Sequence, residues 1–245
     1  MNRSPRRTRE RSQSEVIGVA LLLGIAVVSL GVLTLTIGAA LEENAAAADA
    51  NAVATGLERG IAPVTTTGTR EATISFSDGT LRTADRTVRV LEDGEPVSER
   101  DVGTLVYETD DHRVVSLCGA VVASRSGYAR LRDGPPIAAS PGVLLVGIVD
   151  LRPGEPVSHG GTGTSVLTLR TTVSHERTDL GTGEYAVAIE TATPDAWRRE
   201  LERQGADASV ESFSGDDERS VVARFEGERT GYVVVHDVDV EVFRG

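Results

Sequence analysis

The stretch of this 245-residue chain richest in groups that chemistry uses is His159-Gly160-Gly161-Thr162-Gly163-Thr164-Ser165. Glycines of this kind let a backbone approach a phosphate or an oxyanion, while His and hydroxyl groups can move protons or attack an electrophile. Each of those chemistries needs a further residue that is missing. A phosphate-binding P-loop carries a Lys after its last Gly, and the chain contains no Lys. The dinucleotide fingerprint needs a third Gly where Val166 stands, and an oxyanion loop built on His-Gly-Gly needs a Gly-x-Ser-x-Gly elbow that the sequence lacks. The segment therefore reads as a flexible connection between strands.

The remaining reactive groups are dispersed. His112, His159, His175 and His236 show no His-Glu-x-x-His or Cys spacing, so no transition-metal site is expected from the pattern. Near the C-terminus Asp237, Asp239 and Glu241 alternate with valines, which sets three carboxylates in one row on a strand. Such a row either holds a hard cation such as calcium or forms a solvated strand face. Asp110-Asp111 and Asp216-Asp217-Glu218 read as turn residues. The single Cys118 lies in the apolar run VVSLCGAVVA and reads as a small buried hydrophobe. No catalytic set, cofactor or resident metal is expected, and the chain is read as not an enzyme.

Short alternating segments must carry these residues. Residues 71–76, 87–92, 104–109, 113–124 and 143–151 read as strands, separated by the turn signals Asp78-Gly79, Asp93-Gly94, Asp133-Gly134-Pro135-Pro136 and Pro141-Gly142. Strands follow at 164–173 and 184–191, then a helix capped by Thr193, opened by Pro194, carrying Ala196, Trp197 and Leu201 on its apolar side and closed by Gly205. Further strands at 208–213, 219–226 and 231–243 complete the chain. Trp197 reads as a core anchor. The expected class is α+β: a long N-terminal transmembrane helix, then a mainly antiparallel β exterior domain over 61–245 with one short helix and a soft sub-boundary near 160.

All 25 basic residues are Arg against 37 acids, a net charge of −12, so nucleic acid is not an expected partner. An acidic surface without Lys suits concentrated salt, where screening removes self-repulsion. One Cys leaves no internal disulfide.

From Val16 to Leu41 no residue is charged, and 26 helical residues span about 39 Å, more than the roughly 30 Å of a bilayer core. Arg3, Arg6, Arg7, Arg9 and Arg11 precede the segment and Glu42-Glu43 follow it, which orients the N-terminus to the cytoplasm and the rest outside. A secretory signal peptide is the rival reading, but its apolar stretch is usually about 7–15 residues. Gly24, Gly31 and Gly38 recur on one face. That spacing either lets another helix approach closely or reflects the general abundance of Gly in membrane helices. Ala-rich residues 44–60, with Leu41, Ala45, Ala48, Ala52 and Leu57 near helical spacing, extend the helix to a stop at Gly60 and Pro63.

The Arg-rich leader, the run Ser14-Glu15-Val16-Ile17-Gly18 and the uninterrupted apolar helix resemble the N-terminus of archaeal type IV pilins and pilin-like proteins, especially haloarchaeal ones, over about residues 9–40. That resemblance implies a leader, residues 1–12, removed by a prepilin peptidase between Ser12 and Gln13, after Arg11-Ser12, with Glu15 near the start of the mature helix. It further implies helices over 13–60 that associate with other pilin-like subunits. Cleavage would take the formal charge from −12 to −16 by removing five Arg and one Glu. The rest of the chain is similar to uncharacterised haloarchaeal envelope proteins. The expected function is a membrane-anchored, pilin-like envelope protein, single-pass in the cell membrane; the alternative is an anchored extracellular binding module that never polymerises.

Overall fold

The computed structural model describes residues 7–61, 64–153, 158–160 and 163–244, with the backbone alone for 7–20, 39, 159 and 244. Helix α1 (Arg7–Gly60) is followed by β1 (Gly68–Phe76), β2 (Thr80–Glu92), β3 (Glu95–Glu108), β4 (His112–Leu117), β5 (Ala120–Arg125), β6 (Tyr128–Asp133), β7 (Ile137–Ser140) and β8 (Val143–Pro153). Then come β9 (Ser158–Gly160), β10 (Ser165–Gly183), β11 (Tyr185–Glu190), α2 (Pro194–Arg203), β12 (Asp207–Glu211), β13 (Ser220–Arg224) and β14 (Arg229–Arg244). The architecture is α+β, with one long apolar N-terminal helix and a mostly antiparallel β domain. The chain divides between Ala45 and Ala46 into two compact units. Pro63 of the expected helix stop, and Met1 to Arg6 of the expected leader, lie outside the described residues.

In the first unit α1 from Leu21 onward carries its apolar side chains in the open, from Ile37 at 52% to Leu35 at 76% exposed. A methyl group added at Gly24, Gly31 or Gly38 would meet nothing within 4 Å.

In the second unit two sheets form, with strand orders β1-β10-β14-β8-β7 and β12-β13-β11-β2-β3-β4-β5-β6, and β9 adds to β2. All pairs are antiparallel except β14 with β8. Because β1 pairs with β10 and β2 with β11, strands from before and after residue 160 share both sheets. The hairpins close where the sequence supplies positive φ: Asp93 and Gly94, at 52° and 86°, join β2 to β3 in the doubly left-handed turn that matches strand twist.

Two cores result. The first gathers Val88, Val102, Leu117, Ile148, Trp197 and Val221; the second gathers Leu57, Phe76, Leu105, Tyr107, Leu169 and Val240. Midway along β8 the buried face changes, since Leu144, Val146 and Ile148 join the first core but Val149 and Leu151 the second. The change coincides with a close approach of β3: a methyl at Gly103 would sit on the Leu151 carbonyl oxygen, with the carbonyl carbon 3.1 Å away. Asp150, 6% exposed, accepts the Gly103 N–H at 3.4 Å beside this contact.

Three expectations are corrected. Residues 113–124 are two strands, because Cys118 and Gly119 take φ of 48° and 78° and turn the chain back on itself. The strand expected at 164–173 runs on to Gly183, paired throughout with β14 apart from one irregularity between Asp179 and Gly181. Thr193 stands at the N-cap of α2 without a side-chain capping bond; its own N–H donates to Thr191 Oγ1 at 3.2 Å instead. In the second half of α1 the buried face is Ala50, Val53, Ala54 and Leu57, while Leu41, Ala45, Ala48 and Ala52 stay exposed. Ala is small enough to satisfy either face, so composition left the helix rotation open.

Candidate functional site

The residues expected to mark helix processing and assembly all lie on α1. Arg11, Ser12, Gln13 and Glu15 fall in the part described by backbone alone, where they are helical. Gly24, Gly31 and Gly38 lie in the open part. This helix is long and apolar enough to cross a membrane, with an 18-residue stretch of mean hydropathy 2.4. Its last four turns are held differently. Arg132 on β6 donates from Nε to Glu58 Oε1 at 2.7 Å, from Nη1 to Asn51 Oδ1 at 3.0 Å and from Nη2 to Thr55 Oγ1 at 3.4 Å. Positions 51, 55 and 58 share one helical face, and a planar guanidinium grips all three at once. Asp49 accepts both the N–H and the hydroxyl of Ser77, at 2.8 and 2.5 Å.

The glycine-rich segment is described only in part. Gly161 and Thr162 lie outside the described residues, and Ser158–Gly160, expected as a flexible connection, forms β9 and pairs with Thr80–Arg82 of β2. Gly163 N–H donates to the Ser77 carbonyl at 2.9 Å.

The carboxylate row of β14 is met by Arg rather than left open. Asp237 contacts Arg152 at 2.6 Å and Arg100 at 3.4 Å, and Glu241 lies 3.7 Å from Arg170. Asp150, in register with Asp237 on the parallel neighbour β8, contacts the same two guanidinium groups. Among the described residues no three His, Cys, Asp or Glu side chains are arranged to hold a metal ion. Asp216, expected as a turn residue, is a buried anchor: its side chain is 1% exposed and takes a two-pronged bond from Arg89 at 2.9 and 2.7 Å. Burial pushes the Cys118 thiol up to about 11, which keeps it a neutral packing group. Trp197 is fully buried in the first core, as a core anchor should be.

Several cavities of about 460–520 Å³ lie in the second unit. One, of about 490 Å³, lies against Ala47, Asn51, His112, Arg113, Tyr128 and Arg130; another, of about 480 Å³, is rimmed by Asp93, Glu184, Asp207, Arg224 and Glu226. Tyr128 beside the first is 87% exposed.

Sequence spacing also hid the juxtaposition of His175 with His236. Strand register sets them directly opposite on β10 and β14, with their Nδ1 atoms 2.9 Å apart and the rings edge-on at 89°. His236 is 6% exposed, whereas His175 is exposed. Burial, and then the neighbouring His175, hold the His236 imidazole below its ordinary value against a raising contact with the Val64 backbone. Recognising the antiparallel register of two long strands 61 residues apart would have found the pair; no local motif does.

No curated protein and no solved structure matches the chain. Residues 11–241, which include most of α1, both sheets and the paired histidines, match the Family of unknown function (DUF7289), and the chain belongs to that family.

Proposed function

We propose that the protein is a membrane-anchored, pilin-like component of a cell envelope: α1 inserts in the membrane, a prepilin-type peptidase trims the leader after Ser12, and the second unit faces outward. The observation that carries this reading is the open apolar surface of α1 between Leu21 and Leu41, where every large hydrophobic side chain is at least half exposed. A water-soluble fold would leave that surface at a large cost, at roughly 25 cal/mol per Å² of apolar area, while lipid or neighbouring helices would cover it. The flanking charges, five Arg before and Glu42-Glu43 after, support a cytoplasmic N-terminus. The clear ground beside Gly24, Gly31 and Gly38 supports a helix-packing face. The acidic, Lys-free composition supports an outer surface adapted to high salt.

Mass spectrometry of the protein purified from its membranes tests the reading. A mature chain beginning at Gln13 is expected, and an intact leader would overturn the processing step. Gly31→Leu should weaken crosslinked assemblies in the membrane while leaving the chain anchored. Unchanged assemblies would refute the packing face, and a trimmed chain that stays monomeric would make it an anchored module that does not polymerise.

A further inference from the structure

We propose that His175 and His236 form a two-imidazole binding site for a divalent first-row transition metal such as zinc. Imidazole nitrogen is a preferred donor for these ions. Two nitrogens bound at about 2.0–2.1 Å with a tetrahedral angle stand about 3.3 Å apart. The two Nδ1 atoms are 2.9 Å apart, so an opening of about 0.4 Å, with each ring turned until both lone pairs meet at one point, admits the ion.

The surroundings favour a ligand role over a plain hydrogen bond. His236 turns Nδ1 toward its partner and also bonds to the Val64 backbone. In the tautomer that donates from Nε2 to the Val64 carbonyl, the Nδ1 lone pair faces His175, which is how metal-ligating imidazoles are oriented by a second bond. His175 is exposed, so its ring can move its proton from Nδ1 to Nε2 and give it to water as hydrogen-bond partner. Two neutral rings then bind the ion with no net proton release, and water fills the remaining positions. Arg177, two residues along β10 from His175, is held over the Tyr232 ring with its guanidinium carbon 4.3 Å from the ring centre. Bulk screening and hydration further weaken its opposition to a bound cation.

The test is zinc titration of the full-length protein in detergent micelles, followed by calorimetry at pH 7.5 with millimolar magnesium present to occupy surface carboxylates. One zinc equivalent is expected, with affinity falling at least the roughly 10–100-fold that loss of even a supporting partner costs when His175 is replaced, as His175→Ala. Because His175 is exposed, this variant should fold, which far-ultraviolet circular dichroism checks. His112→Ala should bind as the parent does. No saturable equivalent above the magnesium-resistant background, or an equivalent that survives in His175→Ala, would overturn the proposal.

Discussion

Replacing Gly103 by Ala tests the way the two sheets meet. Gly103 is not at positive φ, so an Ala there suffers no backbone strain and should gain about 0.4–1 kcal/mol from a stiffer unfolded chain. Against that gain stands the Leu151 carbonyl, whose oxygen occupies the place of the new methyl and whose carbon lies 3.1 Å from it. Both offending atoms are backbone, in the strand whose buried face switches between the two cores at this point, so neither can rotate aside. Accommodation requires β3 and β8 to separate, which also stretches the Gly103 N–H to Asp150 bond. Overpacking of this kind costs about 1–3 kcal/mol and sometimes more; with immobile atoms the upper end applies, leaving a net loss of about 2 kcal/mol. For a body of this size each kcal/mol corresponds to roughly 2–4 °C, so the melting temperature should fall by about 4–8 °C in a calorimetric scan of the full chain in detergent. The open glycines give the contrast, since Gly31→Ala meets nothing within 4 Å and should not lower that transition. A Gly103→Ala protein as stable as the parent would refute the close approach of β3 and β8.

Two further outcomes follow from buried groups. Arg89→Ala should cost about 3–5 kcal/mol, read from denaturant midpoints, because it strands the fully buried Asp216 carboxylate without its two-pronged partner; Arg89→Met with Asp216→Leu should recover much of that loss. Stability should also fall with pH below about 6.5, where His236 in the unfolded chain takes a proton that the native site resists. Lowered in the fold by burial first and by His175 second, this group contributes stability above its unfolded value and loses it as the pH drops. The slope difference between the parent and His236→Gln, measured by urea unfolding at pH 7 and pH 5, should approach but not exceed one proton, about 1.4 kcal/mol per pH unit.

The elements of this chain were legible where local chemistry decides them. The alternation of Val and Ile marked most strands, Asp93-Gly94 marked a turn whose φ values need such residues, and Pro194, Trp197 and Gly205 framed α2. Local chemistry failed where the deciding contact is distant. Cys118 sits inside an unbroken apolar run, and only the pairing of β4 with β5 forces a turn there. Asp216 looked like one of three acids in a polar loop, yet Arg89, 127 residues away, draws it into the fold. His175 and His236 are ordinary surface-strand residues in sequence and become a pair only through the register of β10 with β14.

The same limit applies to the glycines of α1. Heptad-spaced glycines at 24, 31 and 38 and the glycine at 56 look alike in composition, but they meet different ground. At the first three a methyl has open space, whereas at Gly56 it would lie 2.8 Å from both the Thr73 carbonyl oxygen and the Ile74 side chain of β1. Glycine at 56 is thus required by the chain's own sheet, and Leu57, Val53 and Asp49 around it are spent on internal contacts. Among the described residues nothing comes within 4 Å of a methyl at 24, 31 or 38, where glycine costs about 1 kcal/mol each in helix propensity relative to Ala in water. On the proposed reading that cost is offset by a neighbouring helix packed against this face, and Gly31→Leu, which would block such packing, separates it from the general abundance of Gly in membrane helices.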